Sequence, residues 1–293
     1  MSIVVTGATG QLGRLVVDSL LERGVPAPEI VALGRDLSKA EDLSARGVQV
    51  RHADYDDPAT LGPALAGATR VLLVSASEPG RRFAQHRAVV EAAEAAGVEE
   101  LVYTSAPNAD TAAYAIAEDH RATEALLADS DLSTVVLRNG WYLENYLPQL
   151  PVYLEHGIVG AAGDGRVSAA TRADLAEAAA VVLTTDGNAG RTYSLGGPAF
   201  TLAELAAEIG RQSGRDVAYT DVPETQLVEI LVGAGLPAPF AALLADSDVG
   251  ASRGELYLDP ADLERLLGRR PTTYAEAIGH TIGEALASYA SAR

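Results

Sequence analysis

No cysteine occurs among the 293 residues, which excludes disulfides, thiolate catalysis and cysteine-ligated zinc but leaves the redox compartment open. Lysine occurs once, at Lys39. Aromatic residues make up 5% of a chain that is 48% hydrophobic, so its core has to be built mainly from alanine, valine and leucine. Basic residues are scarce beside acidic ones: Lys and Arg total 22, Asp and Glu 40, for a formal charge of −18. A surface of that sign repels phosphate backbones and anionic lipid, so neither nucleic acid nor a membrane is an expected partner. No apolar run approaches the roughly 18 residues of a spanning helix. Met1 leads straight into an apolar strand with no basic and then hydrophobic leader, and a cytoplasmic location is the expectation. The histidines, His52, His86, His120, His156 and His280, show no close metal-ligand spacing, so no metal is expected.

The most informative stretch opens the chain. Ile3 to Val5 reads as a buried strand that breaks at Thr6-Gly7. From Gln11 to Arg23, the apolar residues Leu12, Leu15, Val16 and Leu20 recur on one helical face. Between strand and helix stand Gly7, Thr9, Gly10 and, two residues into the helix, Gly13, spaced G-x-x-G-x-x-G. Gly7 suits the tight turn, Gly10 lets backbone N–H groups approach a diphosphate, and Gly13 lets helix and strand pack closely. Gln11 and Leu12 open the helix, whose unpaired donors and positive dipole end face such an anion. This is a dinucleotide-binding turn.

The end of the second strand, Glu29 to Leu33, bears on which dinucleotide. An NAD site wants an acid about 20 residues past the glycines to bond the ribose hydroxyls. Here the strand closes on Leu33-Gly34-Arg35 with Lys39 a turn later; Arg35 and Lys39 either clamp a 2′-phosphate, Arg35 being the favoured contact, or are ordinary surface residues at a helix start. NADPH is the expected cofactor, with NADH possible. Val48 to His52 forms a third strand leading to the cofactor candidates Asp54 and Tyr55; Asp54 either accepts from the adenine amino group or serves as a turn residue. Asp57-Pro58 opens a helix to Leu65. Arg70 to Val74 and Glu100 to Thr104 are strands four and five, and Ser75, Ala76, Ser77, Thr104 and Ser105 at their ends are cofactor candidates. A helix from Arg82 to Ala96, stopped by Gly97, carries Gln85 and His86 near its start as further site candidates, Gln85 toward the cofactor.

Strand six, Ser133 to Leu137, enters Arg138-Asn139-Gly140-Trp141-Tyr142-Leu143-Glu144-Asn145-Tyr146, which holds the only tryptophan and two tyrosines. That cluster either stacks on a flat ligand or forms core under a second lobe. Thr171 caps a helix with Asp174 as its capping-box-like partner. Arg191 to Leu195 is a seventh strand, and further helices are expected over Thr201–Gly210, Glu224–Val232, Pro239–Leu244, Pro260–Leu267 and Tyr274–Tyr289. Alternating strands and helices give an α/β fold: a doubly wound parallel Rossmann sheet with a smaller, mostly helical C-terminal lobe. The dinucleotide-binding domain spans 1–140, with the strand at 191–197 added to its sheet, and the substrate-binding lobe spans 141–293.

The Tyr-x-x-x-Lys pair of ordinary short-chain dehydrogenases is missing: Tyr114 is followed at the fourth place by Glu118, and the one lysine is Lys39. Alcohol dehydrogenation and sugar epimerisation, which move a proton on and off a hydroxyl, are disfavoured. His120, in Glu118-Asp119-His120-Arg121 at a helix start, is either a donor near the crevice or a surface histidine.

The segments 6–13, 119–124 and 137–146, continued by 160–165, 170–174 and 244–252, resemble the NmrA-like atypical short-chain family. The similarity is greatest to its type-2 NAD(P)H:quinone oxidoreductases, relatives of the triphenylmethane dye reductases, and covers essentially the whole chain. One departure is an extra residue in the Glu22–Pro26 turn. The resemblance implies NADPH in the Rossmann domain and hydride transfer to a quinone, or another flat aromatic acceptor, in a cleft under the C-terminal lobe. It also accounts for the missing pair, since His120 occupies the helix region where other relatives carry a lysine. A quinone is already electrophilic, so the protein has only to position it and stabilise the developing oxyanion. Tyr142 and Asn139 are the expected donors or walls, with His120 and Asn145 behind them. Two other readings stay open: a non-catalytic NADP(H) sensor of the NmrA type, and a dye reductase. The oligomeric state is not legible.

Overall fold

The computed structural model describes residues 2–78 and 80–291; Met1, the first residue of the opening strand-turn-helix stretch, lies outside them. Short runs of valine, isoleucine and leucine suit strands buried on both faces. Ile3–Val5 (β1), Ile30–Gly34 (β2) and Glu100–Ser105 (β5) are buried along their whole length. Gln49–His52 (β3), Arg70–Leu73 (β4), Ser133–Asn139 (β6) and, after three shorter strands, Thr192–Leu195 (β10) complete a seven-stranded sheet in the order β10-β6-β5-β4-β1-β2-β3. Every pairing in it is parallel. The order turns back at β1, which lies between β2 and β4 with Ile3 level with Ile30 and Arg70. The crevice outside the carboxyl ends of β1 and β4 is therefore the topological switch point.

Helices cover both faces. On one side Gln11–Glu22 (α1) shares an apolar core with Arg172–Thr184 (α7) and with Leu263 of Ala261–Leu267 (α11). The chain after residue 140 thus returns to the sheet with two helices as well as with β10. On the other side lie Leu61–Leu65 (α3), Arg82–Ala95 (α4) and the end of Ala115–Ala128 (α5), while the short Glu41–Ala45 (α2) sits with the first core through Leu43. Alanine fills much of both layers, as a core poor in aromatics requires.

A second core gathers Leu150–His156 (α6), Leu202–Ser213 (α8) and Tyr274–Ser291 (α12), joined by the N-terminal part of α5. Phe200 is its centre, with the Tyr146 ring 5.7 Å away edge-on and the Tyr274 ring 4.8 Å away. Tyr146 is therefore core, not ligand wall. Trp141–Tyr142 (β7) pairs with Ala169–Ala170 (β9), and Ile158–Gly160 (β8) with Tyr219–Asp221 (β11). Glu224–Gly233 (α9) and Ala238–Ser252 (α10) pack on each other as a hairpin. No helix among the described residues is long and apolar enough to cross a membrane.

Several elements differ from the sequence expectation for identifiable reasons. The segment after Asp57 begins as a 3-10 turn, Pro58–Thr60, before α3. α6 lay hidden behind Pro148 and Pro151, yet Pro151 sits in its first turn, where a missing N–H is harmless. α10 runs to Ser252 because its buried face is made of Ala241, Ala245, Ser247, Gly250 and Ala251, which carry no apolar stripe. α5 starts at Ala115, which puts His120 in its second turn rather than at its start. Thr171 caps α7 by accepting from the Asp174 N–H (3.1 Å), but the Asp174 carboxylate does not reciprocate. It accepts instead from Arg269 (2.7 Å) and the Thr272 N–H (2.8 Å), fastening α7 to the chain after α11.

Asp248 on α10 accepts from the Ala161 N–H (3.0 Å), and burial, helped by the neighbouring charge of Asp221, pushes its carboxyl up to about 6. A carboxyl that binds its proton more tightly folded than unfolded stabilises the fold below its unfolded value, and that contribution fades as pH rises toward 6. Asp248→Asn keeps the acceptor and removes the charge. Urea unfolding is expected to show nearly equal stabilities of variant and wild type near the bottom of this window. Above it the variant is expected to be more stable by about 2 kcal/mol; a difference independent of pH would contradict the assignment.

Candidate active site

The cleft over the switch point has a volume of about 680 Å³ and runs from the glycine turn to the segment after β6. Its floor is the first β-to-α turn. Gly7 adopts φ +59, open to glycine at little cost, and a Cβ on Gly13 would stand 2.4 Å from the Gly7 carbonyl oxygen. Only hydrogen at these positions lets α1 start so close to the end of β1. Gly10, the N-cap of α1, supplies no side-chain bond, and the first turn has no acid. The opening N–H groups and the positive end of the helix are thus left for an anion in the cleft.

One hydroxyl cluster holds the two strand ends at a fixed separation. Thr6 Oγ1 accepts from the Val74 N–H (3.0 Å), and the Tyr55 hydroxyl lies 2.5 Å from Thr6 Oγ1 and 3.1 Å from the Val74 carbonyl. Burial pushes the Tyr55 phenol up, so it stays protonated and available as a donor.

Of the expected cofactor residues, Gly7, Thr9, Gly10, Gln11, Leu12, Arg35, Asp54, Tyr55, Ser75, Ala76, Ser77, Gln85 and Ser105 all line the cleft. Two do not. Lys39 is among the exposed residues outside the lining, its Nζ 3.9 Å from the Asp36 carboxylate, because the 3-10 turn Leu37–Ala40 keeps it on the solvent side. Thr104 lies behind the lining, where its hydroxyl accepts from the Ser75 N–H (2.9 Å) and fixes that loop. Asp54 is partly a turn residue, its carboxylate accepting from the Asp56 N–H (3.1 Å). The Ser105 hydroxyl is turned to Glu124 (2.6 Å), which also grips Arg138. Arg35 reaches Glu78 across the rim at 3.6 Å, an exposed pair worth little in water.

Asn139, Tyr142, His120 and Asn145 line the far end together. Asn139 is placed by the last residue of β6 beside Leu195 of β10, and its Oδ1 is a buried acceptor without a partner among the described residues. Burial pushes the Tyr142 phenol up, partly offset by a hydrogen bond from Asn139. The Arg172 guanidinium stacks 4.5 Å over the Tyr142 ring, and the Arg172 N–H donates to Glu144 (2.9 Å). The start of α7 thereby clamps the 141–145 segment. His120 is buried, with Nδ1 2.6 Å from the Tyr103 hydroxyl. Burial first, then Arg82 and His86, hold it well below the ordinary imidazole range. His86 accepts from the Ala76 N–H at Nε2 (2.9 Å) and is held down near 3 by burial and Arg82.

The sequence reading missed Arg82, Arg172, Ile116, Phe240 and Leu244, all of which line the cleft. Arg82 carries the one retrievable signal, a basic residue in the first turn of the helix after β4. Its Nε donates to the Ala76 carbonyl (2.7 Å) and its Nη1 lies 3.4 Å from Asp119. Phe240 and Leu244 come from a distant helix and have no local signature. Tyr114, the residue that occupies the Tyr-x-x-x-Lys pattern, is core, its hydroxyl donating to the Pro107 carbonyl (2.8 Å).

Residues 7–186 match a family described as NAD(P)H-binding. The chain is 50% identical over 280 residues to quinone oxidoreductase 2 of Escherichia coli K12, covering 95% of this chain and 98% of that protein. The structure of an E. coli NADPH-dependent quinone oxidoreductase complexed with NADPH superposes with a TM-score of 0.93 at 49% identity, over 96% of this chain and 99% of the other. Citrobacter sp. triphenylmethane reductase complexed with NADP(H) gives 0.91 at 38% identity, over 96% and 100%.

The glycine cradle makes a direct prediction. Gly13→Ala forces α1 away from the Gly7 carbonyl, and NADPH binding, read by fluorescence titration, is expected to weaken by about tenfold or more (~1.4 kcal/mol). Unchanged affinity in a folded variant would show that the close approach is not needed.

Proposed function

The chain belongs to the NAD(P)H-binding family of quinone oxidoreductase 2, and from that premise we propose that it is an NADPH-dependent reductase delivering hydride to a quinone without a Tyr-Lys pair. The observation that carries this reading is one continuous cleft that joins an uncapped helix start at one end to Trp141, Tyr142 and Asn139 at the other. An anion cradle and a flat aromatic wall are the two halves that a nucleotide-dependent reductase of planar acceptors needs.

The residues fit the cofactor. The Gly7–Gly13 turn is the cradle that a Cβ would fill, and Gln85 and Asn139 each present a buried side-chain carbonyl with no partner among the described residues. Such acceptors cost roughly 1–3 kcal/mol each when left unpaired, so a donor-bearing ligand is favoured beside them. Gly7, Thr9, Gly10, Gln11 and Leu12 would hold the diphosphate. Arg35 would hold the 2′-phosphate, released from Glu78, and Asp54, Tyr55, Ser75, Ala76, Ser77, Gln85 and Ser105 would frame the rest. When bound, NADPH supplies a hydride to an acceptor already electrophilic enough to take it.

The work left to the protein is placement and charge. Trp141 and Tyr142 hold the ring flat, with Arg172 keeping Tyr142 upright. Tyr142 stays protonated and donates to the oxygen on which negative charge develops. Asn139 shares that hydrogen-bond set, and Asn145 closes the wall beside Arg172. His120, neutral because it is buried beside Arg82, acts as a hydrogen-bond donor, and solvent can supply the final proton. The location proposed is the cytoplasm, supported by dependence on the cell's own nicotinamide pool. A sensor that binds NADP(H) without consuming it is the second reading, supported by the missing Tyr-Lys pair.

Loss of nicotinamide absorbance with a small benzoquinone separates them: saturable NADPH oxidation is expected, and tight binding without turnover across several quinones and dyes would favour the sensor. Arg35→Ala is expected to raise KM for NADPH about tenfold while leaving NADH nearly unaffected, as loss of a charged clamp requires. Tyr142→Phe is expected to lower kcat by about tenfold or more; unchanged turnover would remove Tyr142 from the reacting centre.

A further inference from the structure

Beneath the far end of the cleft lies a closed set of polar side chains from three elements: His86 on α4, Tyr103 on β5, and His120 and Thr123 on α5. All four are buried. Their protons can be assigned one by one from the heavy-atom contacts. The Ala76 N–H donates to His86 Nε2 (2.9 Å), so that nitrogen carries a lone pair. His86 is neutral, so its proton is on Nδ1 and points at Thr123 Oγ1 (2.9 Å). Thr123 passes its own proton to the Asp119 carbonyl (2.8 Å).

Tyr103 is thereby constrained. Its oxygen lies 3.4 Å from His86 Nδ1, which already bears hydrogen and cannot accept, and 2.6 Å from His120 Nδ1. The Thr123 hydroxyl also neighbours the phenol, but that oxygen already takes the His86 proton and gives its own to Asp119, so His120 Nδ1, at 2.6 Å, is the acceptor for a buried O–H that is costly to leave unmade. The proton of a neutral His120 is then forced onto Nε2. No partner among the described residues engages Nε2, yet it is not one of the buried unpaired atoms, and His120 lines the cleft. The charges around the set are Arg82, 3.4 Å from Asp119, and Glu124, paired with Arg138.

We propose that Tyr103 is a positioning residue that locks His120 as the Nε2–H tautomer, so that a neutral imidazole presents a fixed hydrogen-bond donor to the acceptor. The chain of bonds that begins at the Ala76 N–H, in the loop that lines the cofactor part of the same cleft, ends at the carbonyl of Asp119, the residue before His120, so the cofactor loop is tied to the helix that carries the donor. His86 and His120, six to seven ångströms apart by ring centroid (6.4 Å), hold opposite tautomers. This inference rests on the reductase reading for its functional sense, but its structural core does not need turnover.

Nitrogen-15 NMR of histidine-labelled protein, with and without NADP⁺, reads both tautomers directly, with His86→Gln and His120→Gln spectra used to assign the signals. His120 is expected as Nε2–H and His86 as Nδ1–H, each unchanged between about pH 5.5 and 8 because both are neutral throughout. Tyr103→Phe, which keeps the ring and removes the donor, is expected to turn the His120 signal into a tautomer mixture. It is also expected to lower kcat about tenfold, less than outright loss of an oxyanion donor, with NADPH affinity retained as the control for folding. His120 found as Nδ1–H, or protonated near neutrality, would overturn the proposal. So would a Tyr103→Phe protein that keeps both its spectrum and its kcat. If the wild type turns over no quinone while the two tautomers stand as assigned, the reductase reading fails and the lock survives.

Discussion

The arrangement depends on how closely the end of β1 approaches the start of α1 and the end of β4. Gly13 leaves no room for a side chain against the Gly7 carbonyl, and Thr6 holds the Val74 N–H from the neighbouring strand. Parallel strands that continue to opposite faces must part at their carboxyl ends, and the gap is bounded by backbone that regular pairing no longer satisfies. Here a threonine hydroxyl and the Tyr55 phenol close that account on the protein side, while the helix N–H groups remain for a ligand. The cleft's anionic specificity comes from backbone dipoles and a few arginines and coexists with a net charge of −18.

The second half of the site is positioned by fastening rather than by regular structure. The 139–145 segment leaves the sheet at Asn139, pairs briefly with Ala169–Ala170 and is pinned by Glu144 to the start of α7. α7 packs on α1 and is anchored at Asp174 by Arg269 and Thr272. The aromatic wall is thus tied through one helix to the same layer that carries the glycine turn. A substitution in the Asp174–Arg269 contact, outside the cleft lining, is connected to Tyr142 by this route.

Where chemistry is encoded by local spacing, the sequence was legible. The glycine turn, the strand succession and the placement of Asn139, Tyr142 and Asn145 along the cleft were all readable, because each sits on a contiguous stretch whose periodicity or turn chemistry is set by neighbours; their roles in the reaction are part of the proposal. Lys39 lies outside the cleft lining, and its direction was not legible, because a charge a turn beyond a strand end has no fixed orientation until the turn type is known; here a 3-10 turn leaves it exposed. Thr104 was read as facing the cofactor because side chains alternate along a strand and its final residue is ambiguous by one. Phe240 and Leu244 were invisible for another reason: α10 buries alanine, serine and glycine, so its helical nature and its placement over the cleft follow only from tertiary packing. The buried histidine pair was half visible, since His86 and His120 were both noticed but nothing in one dimension shows that Tyr103 lies between them.

The central claim is direct hydride delivery by a chain with no proton-relay pair. The most direct measurement is a stopped-flow single turnover with NADPH deuterated at one face of the nicotinamide C4, run for each face in turn, with quinol formation followed in parallel. The account predicts one quinol per NADPH oxidised and a primary isotope effect of several-fold for one face and none for the other. NADPH that binds but is not oxidised, or equal rates for both labels and the unlabelled cofactor, would contradict it.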